Sequence, residues 1–284
     1  MQGPFTVWRQ YFLPQRFLTW AAGKLAFCQI RWFKDWAIRR FIRLYEVNVE
    51  EAEVSELSAY ASFHHFFIRK LKAGLRPIDP LAEGLCSPCD GSISQIGKIQ
   101  QDTLVQAKGR DFTLKALLGD ESLAPAFKNG RYATIYLAPK DYHRVHMPCA
   151  GTLTSMQYIP GKLFSVNPLT ANYVDQLFAK NERLVTTFTN EKGQFAIVLV
   201  GAMLVGSVFT RWGGRCVAHS NPKNLKVNYP NKKEQHITLD KGEEMGYFSL
   251  GSTVILLFPE NLNWEPDITQ LTNVVVGQRI GRYF

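Results

Sequence analysis

The stretch GQFAIVLVGAMLVGSVFT, residues 193–210, is the longest uncharged window of the chain, and the fold class turns on whether it is helix or strand. A membrane-crossing helix needs about 20 predominantly apolar residues. This window is shorter and is broken by Gly193, Gln194, Gly201, Gly206, Ser207 and Thr210, while its core at 195–200 is β-rich. It reads as two buried strands joined or bulged at Gly201. Working outward, strand signals recur at 91–99, 132–137, 151–158, 184–189, 195–200, 204–209 and 253–258, with short helices at 114–118 and 175–179. The run 248–258 reads as one strand with Gly251 as a bulge inside it. Residues 50–57 are helical in character, and 60–70 look like a second amphipathic helix. Many short strands behind helices gathered at the front predict an α+β fold with a mainly antiparallel sheet or sandwich core.

With 284 residues, 46% hydrophobic and 20% charged, the chain is a packed globular protein, which excludes disorder, collagen and disulfide-scaffold classes. Five cysteines, with Trp8, Arg9 and Pro14 interrupting any apolar leader core, point to a reducing, cytosol-facing compartment. The net charge of +9 is uneven. Residues 1–45 hold eight Lys and Arg against Asp35 alone, together with 12 of the 36 aromatics and four of the six Trp. Such a leader faces an anionic membrane or a nucleic acid.

On a helical wheel Ile30, Phe33, Ala37, Phe41 and Leu44 form one apolar stripe, with Arg39, Arg43, Trp32 and Trp36 on the other side. A continuous stripe flanked by cations suits an in-plane membrane helix, whereas single-stranded nucleic-acid binders need solvent-facing rings beside the cations. The expectation is a helical membrane-association region at 1–75, a catalytic β-rich domain at 76–284, an anionic phospholipid surface as partner and no nucleic acid. A helix docked on its own protein is the alternative.

Three segments could carry chemistry. His143 and His146 lie in DYHRVHMPC; with Cys86 and Cys89 of CSPC they could suggest a zinc site, or they are surface imidazoles and buried thiols. Asp90 in SPCDGS is either turn chemistry or a carboxylate that orients a histidine. Gly251, Ser252 and Thr253 form a Gly-Ser-Thr triplet followed by strand rather than helix, which disfavours a Gly-x-Ser-x-Gly elbow but leaves Ser252 available as a nucleophile.

The order and identity of FFIRKLKAGLRPID (66–79), CDGSISQIGKI (89–99), DYHRVHMPCAG (141–151), PGKLFSVNPLT (160–170), NERLV (181–185), VGAMLVGSV (200–208) and KGEEMGYFSLGSTVILLF (241–258) closely resemble bacterial phosphatidylserine decarboxylases of the membrane-associated, pyruvoyl-dependent type. The resemblance covers essentially the whole chain and is loose only at 263–284. It implies a proenzyme that cuts itself between Gly251 and Ser252, with Asp90, His146 and Ser252 at the matching positions of a protease-like triad. Ser252 would become a covalent pyruvoyl cofactor, and no metal would be needed. The working enzyme would be a heterodimer of 1–251 and 252–284, in one copy or as a dimer of such pairs. Its carbonyl would form a Schiff base with phosphatidylserine and release CO2 to give phosphatidylethanolamine. His143 is favoured for the decarboxylation phase, with His146 shared between both phases. Lys162, Ser165 and Asn167 are candidate contacts to the substrate's phosphate or diacylglycerol part. The implied location is the cytoplasmic face of the inner membrane, as a peripheral protein. Apart from the resemblance, the same Ser, His and Asp would also suit a peripheral lipid hydrolase that does not cut itself.

Overall fold

Residues 195–200 and 254–258 show no apolar–polar alternation, so strands made from them must be covered on both faces. The computed structural model, which describes residues 4–107, 109–203, 208–216, 225–229, 236–249 and 252–284, places both runs at the centre of one antiparallel sheet, where all eleven residues are buried. In chain order its strands are β1 (Gly91–Lys98), β2 (Arg131–Leu137), β3 (Gly151–Ile159), β4 (Arg183–Asn190), β5 (Gly193–Val200), β6 (Leu225–Asn228), β7 (Thr238–Leu239), β8 (Ser252–Phe258) and β9 (Asn273–Val274). Across the sheet they run β6, β3, β4, β5, β8, β2, β1, β9, with β7 on a further part of β3. Stacked rings of Phe188, Phe195 and Phe258, with centroids 5.4 and 5.5 Å apart, tie β4, β5 and β8 together on one face.

Three smaller antiparallel sheets lie beside this sheet among the described residues, one of them the two-stranded pair Thr103–Ala107 and Arg110–Thr113. A second joins Gly214–Cys216, Val208–Thr210, Glu244–Phe248 and Arg144–His146; the third joins Gly84–Cys86, Arg279–Tyr283 and Leu262–Trp264. The α+β expectation agrees with this architecture. The single strand expected at 248–258 does not form. Glu244–Phe248 pairs with Arg144–His146 in the four-stranded sheet, β8 pairs with β2 and β5, and the chain changes sheets between them. Residues 204–207, Leu250 and Gly251 lie outside the described residues.

At the front stand α1 (Pro4–Arg9), α2 (Gln15–Ala26) and α3 (Arg31–Tyr45). The helix expected at 60–70 shrinks to α4 (Phe63–Phe67), capped by the Ser62 hydroxyl, and 50–57 is irregular around the isolated bridge Ala52 to Leu71. Docking of α3 uses a face rotated from the expected stripe. Lys34 and Ile38 are buried and Phe41 and Ile42 pack with them against Val47, Tyr60 and Phe66, whereas Ile30 and Leu44 are exposed. Lys34 can be buried because its ammonium donates to Asp35 Oδ1 at 2.7 Å and to the Ser58 carbonyl at 3.1 Å.

Val7 of α1 and Ala26 of α2 are buried, Val7 in the main core, and polar contacts from α2 and the turn before it add to them. Gln10 Oε1 accepts from the Ser165 N–H and Gln15 Oε1 from the Leu163 N–H, both at 2.9 Å. Gln10, Gln15 and Thr19 are buried while Trp8, Phe12, Phe17 and Trp20 face outward, Phe12 at 86% exposure. Among the described residues no helix is long and apolar enough to cross a membrane.

Because Ile255 is fully buried in the central strand, Ile255→Ala should lower stability by about 2–5 kcal/mol, read by denaturant unfolding. A loss under about 1 kcal/mol would show that β8 is not a core strand.

Candidate active site

The sheet register decides which residues meet. Ser92 of β1 lies beside Tyr136 of β2, Tyr136 beside Thr253 of β8, Thr253 beside Val200 of β5, Val200 beside Arg183 of β4, and Arg183 beside Ile159 of β3. Residues just beyond this row therefore leave the sheet at one edge. They include Asp90 ahead of β1, the 138–146 segment after β2, and the backbone of Ser252 at the start of β8. The Phe248 N–H donates to the His143 carbonyl at 3.1 Å, so the chain enters the 249–251 crossing beside His143. The His146 N–H donates to the Pro88 carbonyl at 2.8 Å, which ties that strand to the Asp90 loop.

Asp90 is buried and fully engaged. Arg76 Nε lies 3.1 Å from both carboxylate oxygens, Arg76 Nη2 is 2.7 Å from Oδ2, and the Val276 N–H donates to Oδ1 at 2.8 Å. The same Nη2 reaches Glu51 Oε2 at 2.7 Å. Sandwiched between two carboxylates, the guanidinium is held even more firmly protonated than usual, with the Asp90 hydrogen bond as the main cause. An aspartate taken this far from water requires such a partner.

His146 is oriented by groups other than Asp90. Its Nδ1 is 2.9 Å from the Gly242 carbonyl, which can only accept, so Nδ1 carries the hydrogen and Nε2 is the basic nitrogen. Tyr142 stacks on the ring at 5.8 Å and its hydroxyl donates to Nε2 over 3.3 Å. Burial lowers the His146 pKa, with the Gly242 carbonyl and the charges of Glu244 and Asp90 pulling the other way. At neutral pH it is a free base with its acceptor nitrogen turned to a hydroxyl. No hydrogen bond joins it to Asp90, whose charge acts on it through space.

His143 is fully buried and stacks on Phe67 with centroids 4.1 Å apart. Its Nε2 donates to the Pro139 carbonyl at 3.4 Å, while Nδ1 has no partner among the described residues. Burial pushes its pKa down to about 3. The hydroxyls of Ser249 and Thr253, one on each side of the crossing, are likewise buried without partners. Unsatisfied polar groups of this kind mark a site prepared for a polar occupant.

The three residues of the 160–167 loop do not join this cluster. The loop follows β3, three strands from β8, or roughly 14 Å at ordinary strand spacing. Asn167 caps the helix Pro168–Ala171, accepting from the Thr170 N–H at 2.8 Å, and Ser165 is held by Gln10. Lys162 lines a groove of about 890 Å³ with Arg16, Lys180, Phe17 and Phe164. Among the described residues no three His, Cys, Asp or Glu side chains gather as a metal would need. Sequence reasoning missed Arg76, Tyr142 and Gly242. A buried Asp signals that a cation must be near, but nothing in the order of residues says which.

Comparison with known proteins gives a consistent answer. The family model described as phosphatidylserine decarboxylase matches residues 63–282, and a second model, described as PSD, matches 5–46. The phosphatidylserine decarboxylase proenzyme of Pseudomonas fluorescens is 47% identical over 275 residues, covering 96% of this chain and 95% of its own length. That of Azotobacter vinelandii is 47% identical with 96% of each chain covered, and that of Methylobacillus flagellatus is 47% identical over 99% of this chain and all of its own.

The buried imidazoles also set a pH limit on the fold. His64, whose two ring nitrogens have no partner among the described residues and which stacks on Phe27 at 4.2 Å, is pushed down to about 4 by burial. An unfolded histidine binds a proton near 6.5, so unfolding takes up protons below that value. The stability that depends on neutral His64 and His143 is complete above pH 6.5 and is lost as the pH falls toward 4 and 3. Denaturation midpoints should drop across this window, and His64→Leu should flatten part of the drop. An unchanged slope in His64→Leu would contradict the burial of a neutral imidazole there.

Proposed function

The chain belongs to the phosphatidylserine decarboxylase family, and from that membership we propose that it cuts itself between Gly251 and Ser252 and then decarboxylates phosphatidylserine to phosphatidylethanolamine. The observation that carries this reading is the meeting of Asp90, His143, His146 and the Ser252 backbone at one sheet edge.

In the first phase His146 Nε2 takes the hydroxyl proton of Ser252, whose oxygen attacks the Gly251 carbonyl. The Gly251–Ser252 amide C–N bond breaks as the ester forms, and the proton held on His146 goes to the departing amine. The Gly242 carbonyl keeps the imidazole in the required tautomer, and the Asp90 charge stabilises the imidazolium while it exists. Loss of the α-proton of residue 252 with departure of the Gly251 carboxylate leaves dehydroalanine. Its enamine tautomerises, water replaces the nitrogen and ammonia leaves, which yields a pyruvoyl group at position 252.

The unpartnered hydroxyls of Ser249 and Thr253 and the bare His143 Nδ1 fit such a carbonyl-bearing group. When present, the pyruvoyl supplies a carbonyl for the substrate amine and a sink for the electrons left by CO2. His143, neutral at any physiological pH, holds a hydrogen on Nε2 and a free lone pair on Nδ1, and we assign it to proton movement in this second phase. The chain 252–284 stays bound after cleavage, because β8 is paired on both sides, β9 pairs with β1, and Arg279–Tyr283 pairs with Gly84–Cys86 of the larger chain as well as with Leu262–Trp264 of its own.

The helical front supports docking on an anionic bilayer at the cytoplasmic face. Trp8, Phe12, Phe17, Trp20, Trp32 and Trp36 face out, with Trp32 at 73% exposure on the same side of α3 as Arg39 and Arg43. Trp at headgroup level beside cations is the arrangement of an interfacial helix. Flotation with vesicles containing phosphatidylglycerol should carry the protein up at low salt, and Trp32→Ser combined with Trp36→Ser should weaken this about tenfold or more. Full flotation by the double variant would contradict the assignment.

For the chemistry, Ser252→Ala should remain a single 32.3 kDa chain on a denaturing gel and release no CO2 from phosphatidylserine. His146→Ala should leave most of the protein uncut. Normal maturation of either would refute the cleavage mechanism.

A further inference from the structure

Arg69 carries a positive charge into the interior and forms no ion pair among the described residues. It is 5% exposed, and its Nη2 donates to the Lys140 carbonyl at 3.1 Å. Its Nε and Nη1 are buried and have no hydrogen-bond partner among the described residues. The guanidinium lies over the Phe66 ring, 5.3 Å from the centroid. Burial pulls its pKa below the usual arginine value, yet a guanidinium stays charged in proteins. A buried ion without a counter-ion is strongly unfavourable.

Of the carboxylates whose charge reaches Arg69, none is hydrogen-bonded to it. Glu51 and Asp90 are held by Arg76, and Asp141 Oδ2 accepts from the Ala138 N–H at 2.7 Å. Arg183 shows how this chain treats a buried arginine with a structural task. At 4% exposure it donates from all three nitrogens to the carbonyls of Leu117, Ala179, Asn181 and Ala116. Arg69 has been given one carbonyl where Arg183 has four.

The position is as informative as the vacancy of its donors. Phe67, two residues earlier, stacks on His143, and Lys140, whose carbonyl Arg69 holds, is three residues before His143. The charge of Arg69 is felt by His143. The cation therefore stands behind the histidine that flanks the entry to the 249–251 crossing.

We propose that Arg69 receives the phosphodiester of the substrate, donating to its oxygens through the N–H groups that the fold leaves free. The inference rests on the decarboxylase reading. Of the two anionic groups on phosphatidylserine, the carboxylate must leave as neutral CO2, and a guanidinium paired with it would stabilise the starting state against the reaction. The phosphodiester keeps its charge throughout, so pairing with it binds substrate and transition state alike and lowers KM without touching the chemical step.

The test uses the matured enzyme in mixed micelles, with Arg69→Gln and Arg69→Lys beside the unaltered protein and chain separation on a denaturing gel as the check on folding. Arg69→Gln should raise KM for phosphatidylserine about tenfold or more with kcat changed less than about threefold, as expected for a lost charge-assisted hydrogen bond. Inorganic phosphate should inhibit the unaltered enzyme competitively and lose this effect on Arg69→Gln, and Arg69→Lys should fall between the two. An unchanged KM, or a fall in kcat alone, overturns the proposal. If Arg69→Gln does not mature, Arg69→Lys decides: unaltered KM and phosphate inhibition there refute the anion site, and failure of both variants to mature makes Arg69 structural. Absence of CO2 release by the unaltered enzyme would strike the decarboxylase reading instead.

Discussion

The ladder that sets Ser92, Tyr136, Thr253, Val200, Arg183 and Ile159 in one row across five strand pairs fixes which residues leave the sheet together. A slip of one residue would turn every side chain of a strand to the opposite face. Strands apolar on both faces resist such a slip only weakly by pattern, so polar features must hold the register. The β4–β5 hairpin is one, with Asn190 opposite Gly193, Gly193 at φ 125, and the Lys192 N–H bonded to Asn190 Oδ1 at 2.9 Å. Thr186 is another, its hydroxyl donating to the Ile197 carbonyl at 2.8 Å across the same pair, and Arg183 anchors the far end to two short helices.

From that row the electrostatics follow. Asp90 stands where three parts of the chain meet: Arg76 and, through it, Glu51 from the helical front, the β1 entry itself, and Val276 from the last 33 residues. Its charge is thus fixed in place before and after any cut at 251. His146 takes its orientation from Gly242 and Tyr142, which leaves Asp90 to act on it as a field. A half-buried cation between two carboxylates and a neutral histidine nearby form a division of labour that reduced dielectric makes effective.

Much of this was legible in the sequence because period and turn chemistry are local. The strands expected at 91–99, 132–137, 151–158, 184–189, 195–200 and 253–258 appear within one or two residues of those limits. The change of sheet between Phe248 and Ser252 was not legible, since apolar character continues across it and the choice of partner strand is tertiary. Nor was the docking face of α3, which turned on whether Lys34 could find acceptors at Asp35 and Ser58. The motifs holding Asp90, His143 and His146 could be picked out, while Arg76 and Gly242 could not, because their roles come from contacts 14 and 96 residues away in sequence. Lys162, Ser165 and Asn167 stand out in sequence as polar residues of a loop-like stretch, and the Ser165 and Asn167 side chains accept from N–H groups of that same segment.

The helical front and the catalytic edge make one physical picture: a lipid substrate confined to a surface and an enzyme whose aromatic, cationic helices face that surface. Its central claim is the conversion of Ser252. The most direct test is the intact mass of the unaltered protein under denaturing conditions. Two chains should appear, residues 1–251 and residues 252–284, the smaller lighter by one ammonia than a chain beginning with serine. A single uncut chain that releases CO2 from phosphatidylserine would contradict it.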